Sequence, residues 1–276
     1  MTRALAAEGF AVYACARRAD KLREVTRDSP SAFGYSCNVS DEAQVKEFVS
    51  QVQSRTSSVD GLVSCAGGFG PIGPLLRTDS RKWMQTLDIN LFGTYLMVKH
   101  VVPLMRRERR PVIVNFAGGG AFNALANYSA YAVSKAAVVR LTETLAVELA
   151  EAGIRVNAVA PGFVATEIHE ATLAAGPALA GEQQFQDTVR RLQTGAVSMS
   201  IPVACVRFLL SERAGELTGK TISASFDPWD TPEFEKNLGR INSSDLYTMR
   251  RINLVHLAPD GLRADLETAA SRAKAR

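Results

Sequence analysis

The sequence is poor in the residues that build metal centres and disulfide frameworks. Its 276 residues include four cysteines and three widely separated histidines. The cysteines are Cys15, Cys37, Cys65 and Cys205. They form no CxxC pair, and each lies in or beside an apolar stretch, where a small buried thiol is expected. The sequence therefore predicts neither a metal site nor a disulfide.

A leader or a membrane-spanning segment is also not evident. No charged-then-apolar signal opens the sequence, and no apolar run approaches the roughly 18 residues of a membrane span. The net charge of +4 arises from 32 basic and 28 acidic residues mixed along the chain, which is weak evidence for a nucleic-acid partner. We expect a cytoplasmic, reduced protein with no membrane or nucleic-acid partner.

Short apolar runs alternate with helix-length amphipathic runs. Strands are predicted at Phe10–Ala16, Phe33–Cys37, Gly61–Cys65, Pro111–Phe116, Ile154–Ala160 and Lys220–Ala224. Helices are predicted at Ala19–Thr26, Asp41–Ser54, Ser80–Arg107, Ser129–Ala152 and Ile201–Ser211. Several strands are continuously apolar, which indicates burial on both faces. The pattern predicts an α/β fold of three layers, with a doubly wound, mostly parallel sheet and ligands beyond its carboxyl edge.

Two regions follow this alternation less well. Residues 172–184 are small and weakly patterned, which suggests a mobile loop or lid. Beyond Asp227 the sequence turns polar and Arg-rich, so we divide the chain into an α/β domain at 1–227 and an extension at 228–276. One helix start is marked more clearly, because Ser40 precedes acidic residues and is predicted to be an N-cap.

The strongest candidate for chemistry is Tyr131 with Lys135 on the long helix. The two residues are four positions apart and therefore share one helical face. A phenol with a pKa of about 10 is a poor acid or base at neutral pH. An ammonium about 4 Å away, at an effective dielectric near 20, favours the phenolate by roughly 4 kcal/mol, or about three pKa units. The spacing alone is weak evidence, because Tyr95 and Lys99 repeat it on another helix face.

A series of short motifs gives this pair its context. In chain order they are Cys65-Ala66-Gly67, Asp88-Ile89-Asn90, Ile113-Val114-Asn115-Phe116, Tyr131 with Lys135, and Pro161-Gly162-Phe163-Val164-Ala165-Thr166. In this order and spacing the motifs resemble those of the short-chain dehydrogenase/reductase family, over about residues 1–225. The resemblance implies a Rossmann-like fold and an oxidoreductase that interconverts a carbonyl and an alcohol on a small-molecule substrate.

The resemblance also implies a role for each matching residue. Tyr131 would be the general acid/base, and Lys135 would lower its pKa and hold the nicotinamide ribose. Asn90 would anchor a water in a proton relay to Lys135. Ala66 and Gly67 would let a cofactor approach a strand end closely, because glycine has no side chain. The pocket for the nicotinamide amide would be lined by Pro161, Gly162 and Thr166.

The preferred cofactor is indicated by residues that follow the first two predicted strands. Arg17 stands where an acidic residue would bind an adenosine 2′-hydroxyl in the family pattern. Arg17 and Arg18 instead suggest a 2′-phosphate, so NADP(H) is preferred over NAD(H), although two surface arginines can serve solubility alone. Asn38, followed by Val39, occupies the position of a frequent aspartate near the adenine and can still form a hydrogen bond there.

The sequence departs from the family pattern at its beginning. Family members open with an apolar strand and a Gly-rich turn that holds the pyrophosphate. Residues 1–9 instead resemble the helix that follows that turn. Either a start site chosen downstream or a real loss explains this difference. A sheet without that central strand would have two bare edges, so the chain would be less stable or would need a partner.

A second departure concerns the family's catalytic serine. Its position is Gly118, within Ala117-Gly118-Gly119-Gly120, where a serine would hydrogen-bond the substrate oxygen. Losing one such donor typically costs about 10²–10³ in rate. Asn123 or Ser129 could substitute for it, and the glycines are as consistent with a flexible loop as with a reshaped pocket.

Two functions are consistent with these observations. The first is an NADP(H)-dependent oxidoreductase in which Tyr131 transfers the proton, supported by Lys135 and Asn90. The second is a cofactor-defective homologue that acts as a binding protein, a non-catalytic subunit or a cofactor-independent acid/base enzyme. In both cases the resemblance implies a homo-oligomer, either a dimer or a tetramer.

Overall fold

The computed structural model describes residues 1–250 of the chain. The part of the predicted extension beyond residue 250 lies outside the described residues. The strands are β1 (Val12–Ala16), β2 (Ala32–Ser36), β3 (Gly61–Ser64), β4 (Val112–Phe116), β5 (Arg155–Ala160) and β6 (Thr221–Ser223). All six predicted strands are present, each shortened at one or both ends except the second, which is shifted by one residue.

The strands form two separate parallel sheets. One contains β1 and β2, and the other contains β3, β4, β5 and β6 in that order. The predicted α/β class with parallel strands is confirmed, but the sheet is divided. No strand within residues 1–250 pairs with β1 or β3 on its second side, so each has an unpaired edge. This is the arrangement expected when a central strand is missing from the sheet.

Helices connect the strands and cover both faces of the four-stranded sheet. They are α1 (Thr2–Ala7), α2 (Ala19–Thr26), α3 (Glu42–Gln53), α4 (Ser80–Leu87), α5 (Gly93–Val101), α6 (Ser129–Glu148), α7 (Glu170–Ala180), α8 (Glu182–Thr194), α9 (Ser200–Leu210), α10 (Pro232–Lys236) and α11 (Leu238–Asn242). No helix within residues 1–250 combines the length and the apolar character needed to cross a membrane.

Three predictions about the helices are wrong. The single helix predicted at Ser80–Arg107 is interrupted by a π-helical turn at Asp88–Phe92 and ends at Val101, because the chain changes to a 3₁₀ turn around Pro103. The side chain that caps α3 belongs to Asp41, which accepts hydrogen bonds from two backbone amides, and not to Ser40.

The third wrong prediction is the loop at 172–184, which the structure shows as parts of α7 and α8. Its many alanines are strong helix formers. Gly176 and Pro177 do not end the helix but produce a kink, since Gly176 has a non-helical φ of 69°.

The core lies on both sides of the four-stranded sheet. On one face, buried side chains of α3 and α5, such as Val45 and Leu96, pack with Ile113 and Val156 of the sheet. On the other face, the buried side chains of α9 pack with Val112 and Val114 of β4, the strand that also contains Ile113. A strand covered on both faces explains why its sequence is continuously apolar.

The described part of the extension packs against this second core. Trp229 and Phe234 contact Phe208 of α9 through their rings. The Trp229 indole nitrogen donates a hydrogen bond to the Ala224 carbonyl at 2.9 Å. Farther along, the Tyr247 carbonyl accepts a hydrogen bond from the Thr221 amide of β6. Residues 228–250 therefore cover the end of α9 and the outer edge of the sheet.

Candidate active site at the carboxyl ends of β3, β4 and β5

The candidate residues converge where three neighbouring strands end. Ala66 and Gly67 follow β3, Gly118 follows β4, and Pro161 follows β5. Helix α6 crosses behind them and presents Tyr131 and Lys135 on its buried face. Parallel strands direct their carboxyl ends to the same edge of a sheet, so residues distant in sequence become neighbours there.

The Tyr131 side chain is directed at Gly118. A Cβ placed on Gly118 would lie 2.1 Å from the Tyr131 hydroxyl oxygen, which is far inside contact distance. The backbone at Gly118 is extended, with φ of −173°, so the need for glycine is steric and not conformational. Within residues 1–250 the Tyr131 hydroxyl has no hydrogen-bond partner among protein groups. The position of the family's serine is thus occupied by the phenol itself.

Burial, and not the neighbouring ammonium, determines the acidity of Tyr131. The residue is 9% exposed, and loss of solvation raises the pKa of the phenol to about 12. The sequence predicted a lowered pKa, and this prediction is wrong for the present arrangement. The physical reason is that the Lys135 ammonium donates its hydrogen bond to the Phe116 carbonyl and not to the phenol. It therefore does not lower the pKa of Tyr131.

Lys135 is buried beside the end of β4. Its Nζ donates a hydrogen bond to the Phe116 carbonyl at 2.8 Å, and burial lowers the pKa of the amine to about 8. A Cβ on Gly67 would lie 3.4 Å from Lys135 Nζ and 3.1 Å from Asn90 Oδ1. Gly67 therefore lies directly beside the amine, and a side chain at this position would crowd Asn90.

Asn90 fastens the loop after β3 to helix α6. It lies in the π-helical turn between α4 and α5 and is 1% exposed. Its amide nitrogen donates to the Gly68 carbonyl at 2.9 Å and to the Ser134 hydroxyl at 2.8 Å, and its amide oxygen accepts from the Gly68 amide. A single side chain thus ties the β3 loop to α6 one residue before Lys135.

The residues predicted for the adenosine half of a dinucleotide lie at the ends of β1 and β2. Arg17 is exposed there. The adjacent Arg18 pairs with Glu167 at 2.7 Å and so links this sheet to the loop after β5. Asn38 accepts hydrogen bonds from the amide and hydroxyl of Ser40. Val39 is buried against Gly93 of α5, where a Cβ would approach it to 2.6 Å. Asn38 and Val39 therefore serve the local structure.

The loop after β5 requires its glycine. Gly162 has φ of 79°, in the left-handed region, and a Cβ there would lie 2.3 Å from the Ser225 hydroxyl. Its neighbour Pro161 accepts a hydrogen bond from that hydroxyl through its carbonyl. Thr166 is exposed and immediately precedes the turn that leads into α7. The three residues thus frame one side of the candidate site.

Neither residue proposed to replace the serine contacts Tyr131. Ser129 accepts a hydrogen bond from the Trp83 indole at 3.0 Å, and Asn123 is exposed. Among the cysteines, Cys37 and Cys205 are buried as expected, whereas the prediction is wrong for Cys65, which is exposed at the end of β3.

The sequence analysis missed an aromatic cluster over Tyr131. Phe69 packs edge-on against the rings of Tyr131 and Tyr128, with centroids 4.8 and 5.3 Å apart. It also contacts His169, which stacks on Phe163. The one available signal was that Phe69 follows the end of a predicted strand within a Gly-rich stretch, where ligands of parallel sheets bind.

Sequence comparisons show which known proteins this chain is similar to. A family described as enoyl-(acyl carrier protein) reductase matches residues 1–225. The 3-oxoacyl-[acyl-carrier-protein] reductase of Staphylococcus epidermidis is 33% identical over 201 residues, covering 73% of this chain and 79% of that protein. The chain belongs to the short-chain dehydrogenase/reductase family. Its members among these relatives are reductases, which supports an oxidoreductase acting on a carbonyl/alcohol pair.

Solved structures of short-chain dehydrogenases/reductases have the same fold. An actinorhodin polyketide ketoreductase with NADPH superposes with a TM-score of 0.71 at 28% identity, covering 80% of this chain and 88% of that one. A levodione reductase superposes with a TM-score of 0.70 at 28% identity, covering 82% and 92%. Both are family members, and the first was solved with a nicotinamide cofactor.

Proposed function

We propose that this chain is an NADP(H)-dependent oxidoreductase that interconverts a carbonyl and an alcohol, with Tyr131 as the general acid/base. The observation that supports this most directly is the hydroxyl of Tyr131, which is directed at Gly118 and forms no hydrogen bond with a protein group within residues 1–250. A substrate oxygen at Gly118 would satisfy it.

Tyr131 is suited to donate a proton to a carbonyl that becomes an alkoxide. With a pKa raised to about 12, the phenol stays protonated over the physiological range. An alkoxide is a far stronger base than a phenolate, so the proton moves to the substrate oxygen as that oxygen gains charge. In the reverse direction Tyr131 must first lose this proton before it can accept one from the alcohol.

Lys135 lies close enough to support Tyr131 once the site is filled. It is one helical turn away on the same face of α6, and at neutral pH its amine is mostly protonated because its pKa is about 8. A buried ammonium stabilises negative charge on nearby oxygens more strongly than one in water. We assign Lys135 to stabilise the phenolate that remains after proton transfer, and Asn90 to hold the β3 loop in register with it.

The residues at the strand ends are suited to a nicotinamide cofactor. Lys135 would hold the nicotinamide ribose. Pro161, Gly162 and Thr166 would line the amide pocket, and Ala66 and Gly67 would allow close approach at the end of β3. When bound, this cofactor supplies or accepts the hydride.

Arg17 is the residue that favours NADP(H). Its neighbour Arg18 is paired with Glu167, whereas no ion pair within residues 1–250 includes Arg17. An unpaired guanidinium at the end of β1 is suited to bind a 2′-phosphate through charge-assisted hydrogen bonds. We place Asn38 near the adenine, although its side-chain oxygen is engaged with Ser40.

We further propose that the enzyme is a homo-oligomer, as a dimer or a tetramer. The supporting observation is a row of exposed apolar side chains on α4, α5 and the turn between them, formed by Met84, Phe92 and Tyr95. Light scattering coupled to size exclusion measures the assembly directly. A monomer at micromolar concentration would contradict this part of the proposal.

The cofactor proposal is tested by titrating the purified chain with NADPH while nicotinamide fluorescence is recorded, with NADH as the comparison. We expect micromolar binding that prefers NADPH, followed by NADPH oxidation at 340 nm with a panel of ketones. Absence of binding by either nucleotide would contradict the proposal and favour the cofactor-defective alternative.

A further inference from the structure

A cavity of about 480 Å³ lies between the loop that follows β3 and helix α4. Its wall includes Gly68 and Asn90, which also belong to the candidate active site. The intervening loop residue Phe69 covers the Tyr131 ring, with ring centroids 4.8 Å apart. The volume is within the usual range for small-molecule sites. The cavity therefore adjoins the candidate active site and is large enough to hold part of a substrate.

Three exposed side chains of the wall carry hydrogen-bond donors that are free to meet a ligand. They are the guanidinium of Arg77, the ammonium of Lys82 and the amide of Gln85. Within residues 1–250 none of these three groups forms a hydrogen bond with the protein, and neither cation is in an ion pair. Two positive charges without carboxylate partners thus face one cavity.

The other polar side chains of the wall are already bonded. The hydroxyls of Thr78 and Thr86 donate to backbone carbonyls at 2.8 and 2.9 Å, and the amide of Asn90 holds the β3 loop. Asp79 supplies the one carboxylate of the wall. One of its oxygens caps α4 by accepting a hydrogen bond from the Lys82 amide at 2.9 Å. The wall therefore offers a ligand more positive than negative charge.

We propose that this cavity binds an anionic group of the substrate, a carboxylate or a phosphate, through Arg77 and Lys82. The inference rests on the proposed function, because it makes the substrate a carbonyl compound that carries a negative charge. Arginine binds such groups through paired N–H donors, and lysine binds them as a compact point charge. Ile72 and Ile89, which also line the cavity, would contact the carbon chain of the substrate.

Binding is tested without turnover, by isothermal titration of the full chain with pairs of ketones that differ in charge. 4-Oxopentanoate is compared with its methyl ester, and dihydroxyacetone phosphate with dihydroxyacetone. We expect the charged member of at least one pair to bind about tenfold more tightly or better, and the pair with the larger ratio identifies the anion. This preference should shrink as salt is added. Equal Kd values within both pairs would overturn the proposal.

Variants test whether the charge preference arises in this cavity. Arg77→Gln and Lys82→Gln should each raise the Kd of the charged ketone about tenfold and leave that of its neutral partner unchanged. Asp79→Asn keeps a good N-cap but removes the opposing charge, so it should lower the Kd of the charged ketone. Arg81→Gln is the matched control, because Arg81 is exposed beside Lys82 but does not line the cavity. Equal effects of Arg81→Gln and Lys82→Gln would contradict the site.

Failure of this inference and failure of the proposed function give different results. A charge preference in binding that depends on Arg77 and Lys82, without NADPH oxidation, would overturn the proposed function and leave the anion site standing. Oxidation of NADPH by charged and neutral ketones with equal kcat/KM, unchanged in Arg77→Gln, would overturn the anion site and leave the proposed function standing. Both are read from Kd and kcat/KM measured on the same preparation.

Discussion

The hydroxyl of Tyr131 and the α-carbon of Gly118 are packed so closely that a Cβ on residue 118 would lie 2.1 Å from the phenol oxygen. The observed position of the Tyr131 ring therefore requires that residue 118 has no side chain. What looks in the sequence like the loss of a catalytic serine is, in the structure, the space into which the tyrosine points.

Replacing Gly118 with alanine tests this relationship. Because the backbone there is extended, Gly118→Ala introduces no backbone strain, and its effect reports the contact with Tyr131. We expect the added methyl to displace the buried ring and lower the free energy of unfolding by about 1–3 kcal/mol. Gly119→Ala is the matched control, since a Cβ there meets nothing within 4 Å. Equal stability of the two variants in urea denaturation would refute the arrangement.

The pKa of Lys135 predicts a pH dependence of carbonyl reduction. Burial lowers this pKa from 10.5 to about 8, so the amine is charged below pH 8 and loses its proton above it. Tyr131 stays protonated until about pH 12. Since the ammonium stabilises the developing phenolate, kcat/KM should fall tenfold per pH unit above about pH 8 and stay level below it.

A control variant assigns that pH limb to the lysine. Lys135→Met keeps a similar length without a titratable amine, so its kcat/KM should be lower and should lack the fall above pH 8. A variant that kept the limb would assign it to another group. The lowered pKa of Lys135 also predicts how stability depends on pH. Between about pH 8 and 10.5 the lysine binds more protons in the unfolded chain than in the folded one. The free energy of unfolding of the wild type should therefore rise with pH over this range, and that of Lys135→Met should not.

Removal of Arg17 should weaken binding of NADPH selectively. Losing a charge-assisted contact to a phosphate costs about 1.4 kcal/mol or more, which corresponds to a tenfold rise in Kd. NADH lacks the 2′-phosphate, so its Kd should hardly change. Arg27→Ala, at the opposite end of α2, is the control for a general loss of positive charge. A parallel loss of affinity for both nucleotides would contradict a 2′-phosphate contact.

The alternation of strands and helices was readable from the sequence because burial on two faces leaves continuous apolar runs. Helix α2 was predicted with its observed bounds. The π-helical turn at Asp88–Phe92 was not predicted, because inserting one residue in a helical turn hardly alters a hydrophobic pattern. Two unpaired strand edges were predicted from the sequence, and the described residues show them on β1 and β3, where the sheet is divided.

The candidate site was predicted only in part. The motifs placed Tyr131, Lys135, Asn90 and Gly67 together correctly, because strand ends and one helix face fix their positions. The direction of the tyrosine's pKa was wrong, because sequence spacing does not show that the lysine donates to a backbone carbonyl. The Phe69 cover was missed for the same reason, since loop sequence does not reveal loop shape.

The most direct test of the account compares Tyr131→Phe with Tyr95→Phe in NADPH-dependent ketone reduction. Both tyrosines have a lysine four residues later, but Tyr95 is exposed and lies outside the site. We predict that Tyr131→Phe lowers kcat by about 10²–10⁴-fold, the usual contribution of general acid catalysis, whereas Tyr95→Phe retains wild-type turnover. Full activity of Tyr131→Phe would contradict the assignment of the proton donor and, with it, the proposed mechanism.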